Sequence, residues 1–346
     1  MTGIASRVEF VFETAPFDAA HASTIAEVDT LTGSGLVAAW FAGTREGHGD
    51  VGIWVARCQG GEWLHPVEVA NGRLHLRRRF PCWNPVLYQP AQGPLMLFYK
   101  VGPSPSQWWG MLITSSDGGR SWSEPRRLPN GILGPIKNKP IVVGHRLLCP
   151  SSDEVGRWRI HLEWTDDGGE TWRRGPPLND GRQFAAIQPA LLAWPSGRIQ
   201  LLCRTRQGAV GQCWSDDGSE SWTPLAATEL PNPDSGIDAV MLACGRALLI
   251  YNHSQTGRTP LNVAISEDGK RWLAACVLER MPGEFSYPAV IESADRTVHV
   301  TYTWNRRRIR HVLLDPASFV PAAIDQGVWP ESLAGQVDAS QLSGPT

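Results

Sequence analysis

Residues 115–122 read SSDGGRSW: Ser115, Asp117, Gly119 and Trp122 on a fixed spacing. The spacing returns in TDDGGETW (Thr165, Asp167, Gly169, Trp172), in SDDGSESW (Ser215, Asp217, Ser219, Trp222) and, one residue shorter, in SEDGKRW (Ser266, Asp268, Gly269, Trp272). A fainter copy, RCQGGEW, ends at Trp63. Trp122, Trp172, Trp222 and Trp272 fall 50 residues apart, and a constant period of that size marks a repeat architecture of the propeller kind. Each box has a local logic. Ser, Thr and Asp side chains accept hydrogen bonds from nearby backbone N–H groups, and Gly permits the left-handed residue that closes the turn. The Trp then packs between strands. The box aspartates therefore read as staples of one hairpin per repeat rather than as catalytic carboxylates.

Working outward, the segments between boxes read strand, short turn, strand: PVLYQPAQGPLMLFYK, PIVVGHRLLCPSS, PALLAWPSGRIQLLCRTR, AVMLACGRALLIYNH and PAVIESADRTVHVTYTW. Apolar and β-branched residues cluster or alternate, with Gly, Pro and Asp at the turns. No long stretch has a helical period. The expected fold is all-β, a six-bladed β-propeller of four-stranded blades in a single domain over 1–346. The blades span about 20–315, and the tail from about 321 to 346 reads as irregular wrapping. The last blade supplies only three strands, so RVEFVFET near the N-terminus is expected to add the fourth and close the ring, removing a bare edge.

Composition narrows the function. The 346 residues carry a formal net charge of -2, and no basic stripe of the kind that nucleic-acid binding needs. The short runs LRRRF (Arg77 to Arg79) and NRRRIR read as solvated surface, and no Gly-rich phosphate loop is present. No apolar run approaches a membrane span. MTGIASRVEF has no apolar core after a basic start, so the expected location is cytoplasmic. Seven scattered cysteines without a CxxC, and histidines such as His253 and His311 without ligand spacing, give no disulfide framework, metal site or cofactor. Oligomeric state is not readable.

Four boxes at this spacing resemble the Asp-box (BNR) repeats of the sialidase superfamily, over roughly residues 20–315. The resemblance implies that the boxes lie on the face away from the active site. The site then forms where the innermost strands begin and the second strands end. Lining up the repeats puts His21, Asn84, Lys139, Gln188, Asp238 and Tyr287 at the strand starts. The second set holds Arg45, Glu46, His48 and Asp50, then Lys100, then Ser152, Asp153 and Glu154. It continues with Arg204 and Arg206, Asn252 and His253, and Trp304, Asn305 and Arg306.

The resemblance further implies three arginines around a sugar carboxylate, a tyrosine nucleophile helped by a glutamate, and an aspartate as acid/base. Tyr287 stands at the nucleophile's place, Arg204 matches the second arginine, and Asp50 or Glu46 matches the acid/base. His21 replaces the first arginine, Gln188 replaces the glutamate, and Asn252 stands where the third arginine is expected, with Arg306 able to reach in. Glu284, three residues before Tyr287, is a candidate substitute partner for the phenol. A neutral Gln188 cannot take the proton of a phenol whose ordinary pKa is about 10. The expected activity is therefore an exo-glycosidase on the non-reducing end of an acidic oligosaccharide, with a site unlike a standard sialidase. Catalytic candidates are Tyr287, His21, Glu46, Asp50, Gln188 and Asp238. Binding candidates are Arg45, Asn84, Lys100, Lys139, Glu154, Arg204, Arg206, Asn252, His253 and Arg306. Two alternatives remain open: a lyase that cleaves next to a uronic acid with a His21/Tyr287 acid-base pair, and a sugar-binding propeller without turnover. Trp83, Trp108 and Trp109 are candidate sugar-stacking rings.

Overall fold

The computed structural model describes residues 5–30, 33–75 and 78–333; Arg77 and the tail beyond 333 lie outside them. The described residues form six antiparallel sheets in chain order around one axis. Blades 2, 3 and 4 have the expected four strands, with innermost strands Cys82–Tyr88, Ile141–Val143 and Ala186–Ala193. Blade 6 runs outward from Phe285–Glu292 through Val298–Trp304 and Arg308–Leu314, and its fourth strand is Ala5–Phe10. Val8 faces Val312 and Phe10 faces Arg310 in that pairing, so the N-terminal segment closes the ring as the missing strand required.

Two blades exceed four strands. Blade 1 adds Glu62–Trp63 and Arg78–Phe80 at its outer side. Blade 5 adds Ala322–Ala323 against Leu273–Glu279. The described part of the segment after 321 covers the outer edge of blade 5, and Ile324 and Leu333 pack into the core there. No helix among the described residues is long and apolar enough to cross a membrane.

The boxes form the staples that their spacing predicts. In the first, Gly119 N–H donates to Ser115 Oγ at 2.8 Å. Arg120 and Ser121 N–H both donate to Asp117 at 2.9 Å. The Thr165/Asp167 and Ser215/Asp217 boxes repeat this pattern, and Ser266/Asp268 keeps its shortened form. Each turn leans on the preceding blade. Trp172 meets Phe98 of blade 2 edge-on, with 6.0 Å between ring centroids, and Trp272 is fully buried among blade 4 and blade 5 residues. A Cβ placed on Gly269 would lie 2.4 Å from Gln200 Oε1 and 2.6 Å from the Trp214 ring, so that turn requires glycine.

Candidate functional site

Four innermost strands carry the same irregularity at their starts. Ala22, Asn84, Gln188 and Tyr287 have φ of 57°, 34°, 55° and 52°. Pairing with the second strand slips there by one residue, between His21 and Thr24, Trp83 and Val86, Ile187 and Ala190, and Ser286 and Ala289. Each is a bulge that inserts one residue and re-aims its neighbours. A left-handed non-glycine residue costs of order 1–3 kcal/mol, and such strain gathers where a structure needs special side-chain directions. The propeller accepts it in four of six blades, all at the end of the axis opposite the boxes.

These bulges bring His21, Gln188 and Tyr287 together. The imidazole of His21 and the ring of Tyr287 lie 4.2 Å apart between centroids. Tyr287 Oη accepts from Arg204 Nη1 at 2.9 Å and from Gln188 Nε2 at 3.2 Å. Arg204 Nη1 also reaches Gln188 Oε1 at 3.1 Å, while its Nε donates to Asp234. His21 Nδ1 lies 2.9 Å from Thr303 Oγ1, and its Nε2 is buried without a protein partner. Burial, then the charges of Arg306, Arg258, Arg204 and Lys137, hold this imidazole well below its ordinary pKa, so His21 is neutral.

Beside His21 a cavity of about 360 Å³ is lined by His21, Phe41, Arg45, Glu46, Glu284 and Arg306, among others. Arg306 Nε donates to Glu284 at 2.6 Å and its Nη1 pairs with Glu46. Arg258 Nη1 donates to the same Glu284 oxygen at 2.9 Å, and the Arg258 guanidinium lies 5.7 Å from the Tyr287 ring centroid. Glu284 therefore serves the arginines rather than Tyr287, contrary to its candidacy as the phenol's partner. Three guanidinium groups, Arg204, Arg258 and Arg306, converge here. Among the described residues, Nη2 of each has no hydrogen-bond partner in the protein.

Arg206 lies at the rim, its guanidinium 3.9 Å from the centroid of Trp158, with Arg204 at 5.0 Å from the same ring. Glu154 lies nearby. Burial pushes its carboxyl up, against the pull of Arg204, and Asp234 and Glu46 add to the rise. Asn84 is buried at its bulge, where its carbonyl faces Lys100.

Several expected site residues do other work. Lys139 donates to Asp238 at 2.8 Å and to the carbonyl of Ala239, and it lines the cavity at the box end of the axis. Asp238 also accepts from Val290 and Ala239 N–H at 2.9 Å, so its carboxylate is saturated as a tie between blades. Lys137, two residues earlier, takes the place intended for Lys139. Its Nζ donates to Asn138 Oδ1 and Ile237 O at 2.8 Å and to Pro288 O, and it lies 5.9 Å from the Tyr287 ring centroid. Lys100 is fully buried and donates to Pro135 O. Asn252 is consumed by Ser235, Pro260 O and Phe285 O, which fixes the strand leading to Tyr287. His253 is held between Tyr251 and Gly327 O, facing the tail.

Asp50 is bound by the Thr44 N–H and hydroxyl and by His48. Slight burial pushes its carboxyl up, but the Thr44 hydroxyl and His48 outweigh this and hold it below the usual range. Trp83 is buried against Phe41 and Trp108, a core ring rather than a sugar platform. Trp108 and Trp109 line a separate cleft of about 180 Å³ with Asp153, Glu154 and Arg174.

The residues that lining up the repeats did not find are Arg258, Asp234, Lys137, Trp158 and Thr303. Arg258 sits six residues past Asn252 in the loop SQTGRTP, and Asp234 in the loop NPDSGID. Loops of different length shift such residues out of the common register. An Asp-Ser-Gly turn directly before an innermost strand was the available signal for Asp234.

Comparison with known proteins agrees with this architecture. The BNR repeat-like domain family matches residues 34–300. The chain belongs to that family, and its fold is the sialidase-superfamily β-propeller. It is similar to the anhydrosialidase of Macrobdella decora, 24% identical over 238 residues, a stretch that is 56% of this chain and 30% of that relative's length. Among solved structures, the Hadza microbial sialidase Hz136 superposes with a TM-score of 0.73 at 18% identity, covering 87% of this chain and 66% of that one. The intramolecular trans-sialidase from Ruminococcus gnavus, solved with oseltamivir carboxylate, gives 0.71 at 14% identity, covering 92% and 98%.

Proposed function

We propose that this protein is an exo-acting glycosidase that removes a terminal carboxylate-bearing sugar of the sialic-acid kind from an acidic oligosaccharide. One observation carries the reading: Arg204 donates to Tyr287, Arg258 lies against its ring, and Arg306 joins Arg258 through Glu284, each with an uncommitted Nη2. Guanidinium forks suit carboxylates because two N–H groups can meet two oxygens. The sialidase names among its relatives support the same substrate class. Tyr287 is the nucleophile in this reading, as in the known exceptions to the two-carboxylate rule. Arg204 and Gln188 both point donors at the oxygen on which charge changes during the reaction.

A second reading keeps some weight from Gln188. With an amide beside the phenol and a neutral His21 against its ring, the site also suits abstraction of a proton next to a uronate carboxylate, which is an elimination. The test is incubation of purified protein with sialosides, uronic-acid disaccharides and rhamnosyl-uronates, read by mass spectrometry. Products that together gain one water support the glycosidase. Cleavage without water that leaves a carbon–carbon double bond in the product makes the protein a lyase; cleavage without water that leaves none is an intramolecular glycosyl transfer, still by the glycosidase site. Ligand-induced stabilisation without cleavage makes it a binding propeller.

A further inference from the structure

The mouth of the site holds several carboxylates, and all but one are committed. Glu46 is paired with Arg306, and Glu284 with Arg306 and Arg258. Asp234 is paired with Arg204, and Asp153 with Arg174. Asp50 is bound by Thr44 and His48. Among the described residues, Glu154 has no hydrogen-bond or ion-pair partner in the protein. It is largely sheltered from solvent, at the edge of the cleft that holds Trp108, Trp109 and Arg174. Four charged groups act on it from three sides: Arg204 and Arg206 on blade 4, Asp234 before blade 5, and Glu46 on the blade 1 loop. It therefore lies within electrostatic reach of Arg204, which bonds Tyr287, and on the wall of the cleft that Trp108 and Trp109 line.

We infer that Glu154 is the proton donor to the leaving sugar, and that the blade 2–blade 3 cleft beside it receives that sugar. The inference rests on the glycosidase reading. A general acid must hold its proton at rest, which an ion-paired carboxylate does not do. Burial and the nearby acids favour the protonated form of Glu154, whereas the Thr44 hydroxyl and His48 favour the charged form of Asp50, and Glu46 is tied to Arg306. As the glycosidic C–O bond breaks, its electron pair stays on the leaving oxygen, which takes the Glu154 proton. The sugar carbon bonds to the Tyr287 oxygen, whose own proton passes to cavity water. In the second half a water oxygen bonds to that carbon and gives one proton to the Glu154 carboxylate. The Tyr287 oxygen leaves with the bonding pair and regains a proton from cavity water. Trp108 gives the leaving sugar an aromatic wall, and Asp153 and Arg174 give it polar edges.

Leaving-group dependence tests the inference. The probes are the p-nitrophenyl glycoside and the lactose-linked glycoside of sialic acid, or of glucuronic acid if the panel favours it. Nitrophenolate departs without protonation and a sugar alkoxide does not. Glu154→Gln should lower kcat/KM on the lactose-linked probe by about 10²–10⁴-fold, change the nitrophenyl probe by less than about tenfold, and remove the alkaline limb of the pH profile. An unchanged thermal melt shows that the variant is folded, and Glu154→Asp should restore part of the lost rate. Equal losses on both probes, or none, would overturn the assignment. So would a leaving-group-dependent loss in Glu46→Gln. Wild-type protein inert on both probes would overturn the glycosidase reading itself, and the assignment with it.

Discussion

The two ends of the propeller axis use carboxylates in opposite ways. At the box end, Asp117, Asp167, Asp217 and Asp268 repeat one task, and each accepts backbone N–H groups of its own turn. At the other end, Glu46, Glu284, Asp234 and Glu154 sit in different blades, and three of them hold arginines. A turn has the same needs in every blade, so its solution repeats. An unsymmetrical ligand presents a different group to each blade, so the residues around it diverge. Repetition therefore marks the scaffold in this chain, and loss of repetition marks the candidate site.

Substitutions can break that contrast, and the largest effect is expected at the divergent end. Tyr287→Phe removes only the oxygen that Arg204 and Gln188 address, and turnover should fall by at least about 10³-fold while the melting temperature stays within a few degrees. A folded variant with near-normal rates would remove Tyr287 from the chemistry. Next comes Gly269→Ala at the box end. Its Cβ would meet Gln200 and Trp214, and its φ is +69°, so the loss should be about 1–3 kcal/mol of stability by chemical denaturation, with kcat unchanged. Arg258→Ala should raise KM by about 10–100-fold for a carboxylated substrate, with a much smaller effect on its methyl ester. An equal effect on both would mean that Arg258 only shapes the loop.

Asp167→Ala should lower the melting temperature by a few degrees and leave kcat intact; a selective loss of turnover in folded protein would sink the staple reading. The smallest effect is one of pH. The hydroxyl and N–H of Ser221 hold Asp217 down to about 2, and Thr171 holds Asp167 below the usual carboxylate range. Folded-state values below the ordinary value of about 4 mean stability that is present above pH 4. It should fade as pH drops towards 2, and acid titration of the unfolding midpoint would show whether the box variants lose that slope.

How much of this was legible follows from the range of the interactions. A box closes within five residues, since Asp167 meets Glu170 and Thr171, so the sequence itself carries the bond pattern. The closing strand was legible because Val8 and Phe10 belong to an apolar alternation that the last blade lacked. Tyr287, Gln188, His21 and Arg204 were legible because they sit on strands in the common register. Lys139 and Lys137 show where that failed. Residues 132–140 leave the strand register, and two positions separate a lysine under the site from one facing the box end. Arg258 reaches Glu284 from a loop that no other blade matches. The saturation of Asn252 and Asp238 depends on backbone groups from distant blades, which no spacing could show.

The central claim is that Tyr287 carries covalent chemistry on a carboxylated sugar beside Arg204 and Arg258. Rapid acid quench during turnover, followed by proteolysis and mass spectrometry, tests it directly. The account predicts a sugar adduct on the peptide that contains Tyr287, which disappears in Tyr287→Phe. Hydrolysis at full rate with no adduct at any time, or an adduct on another residue, would contradict it.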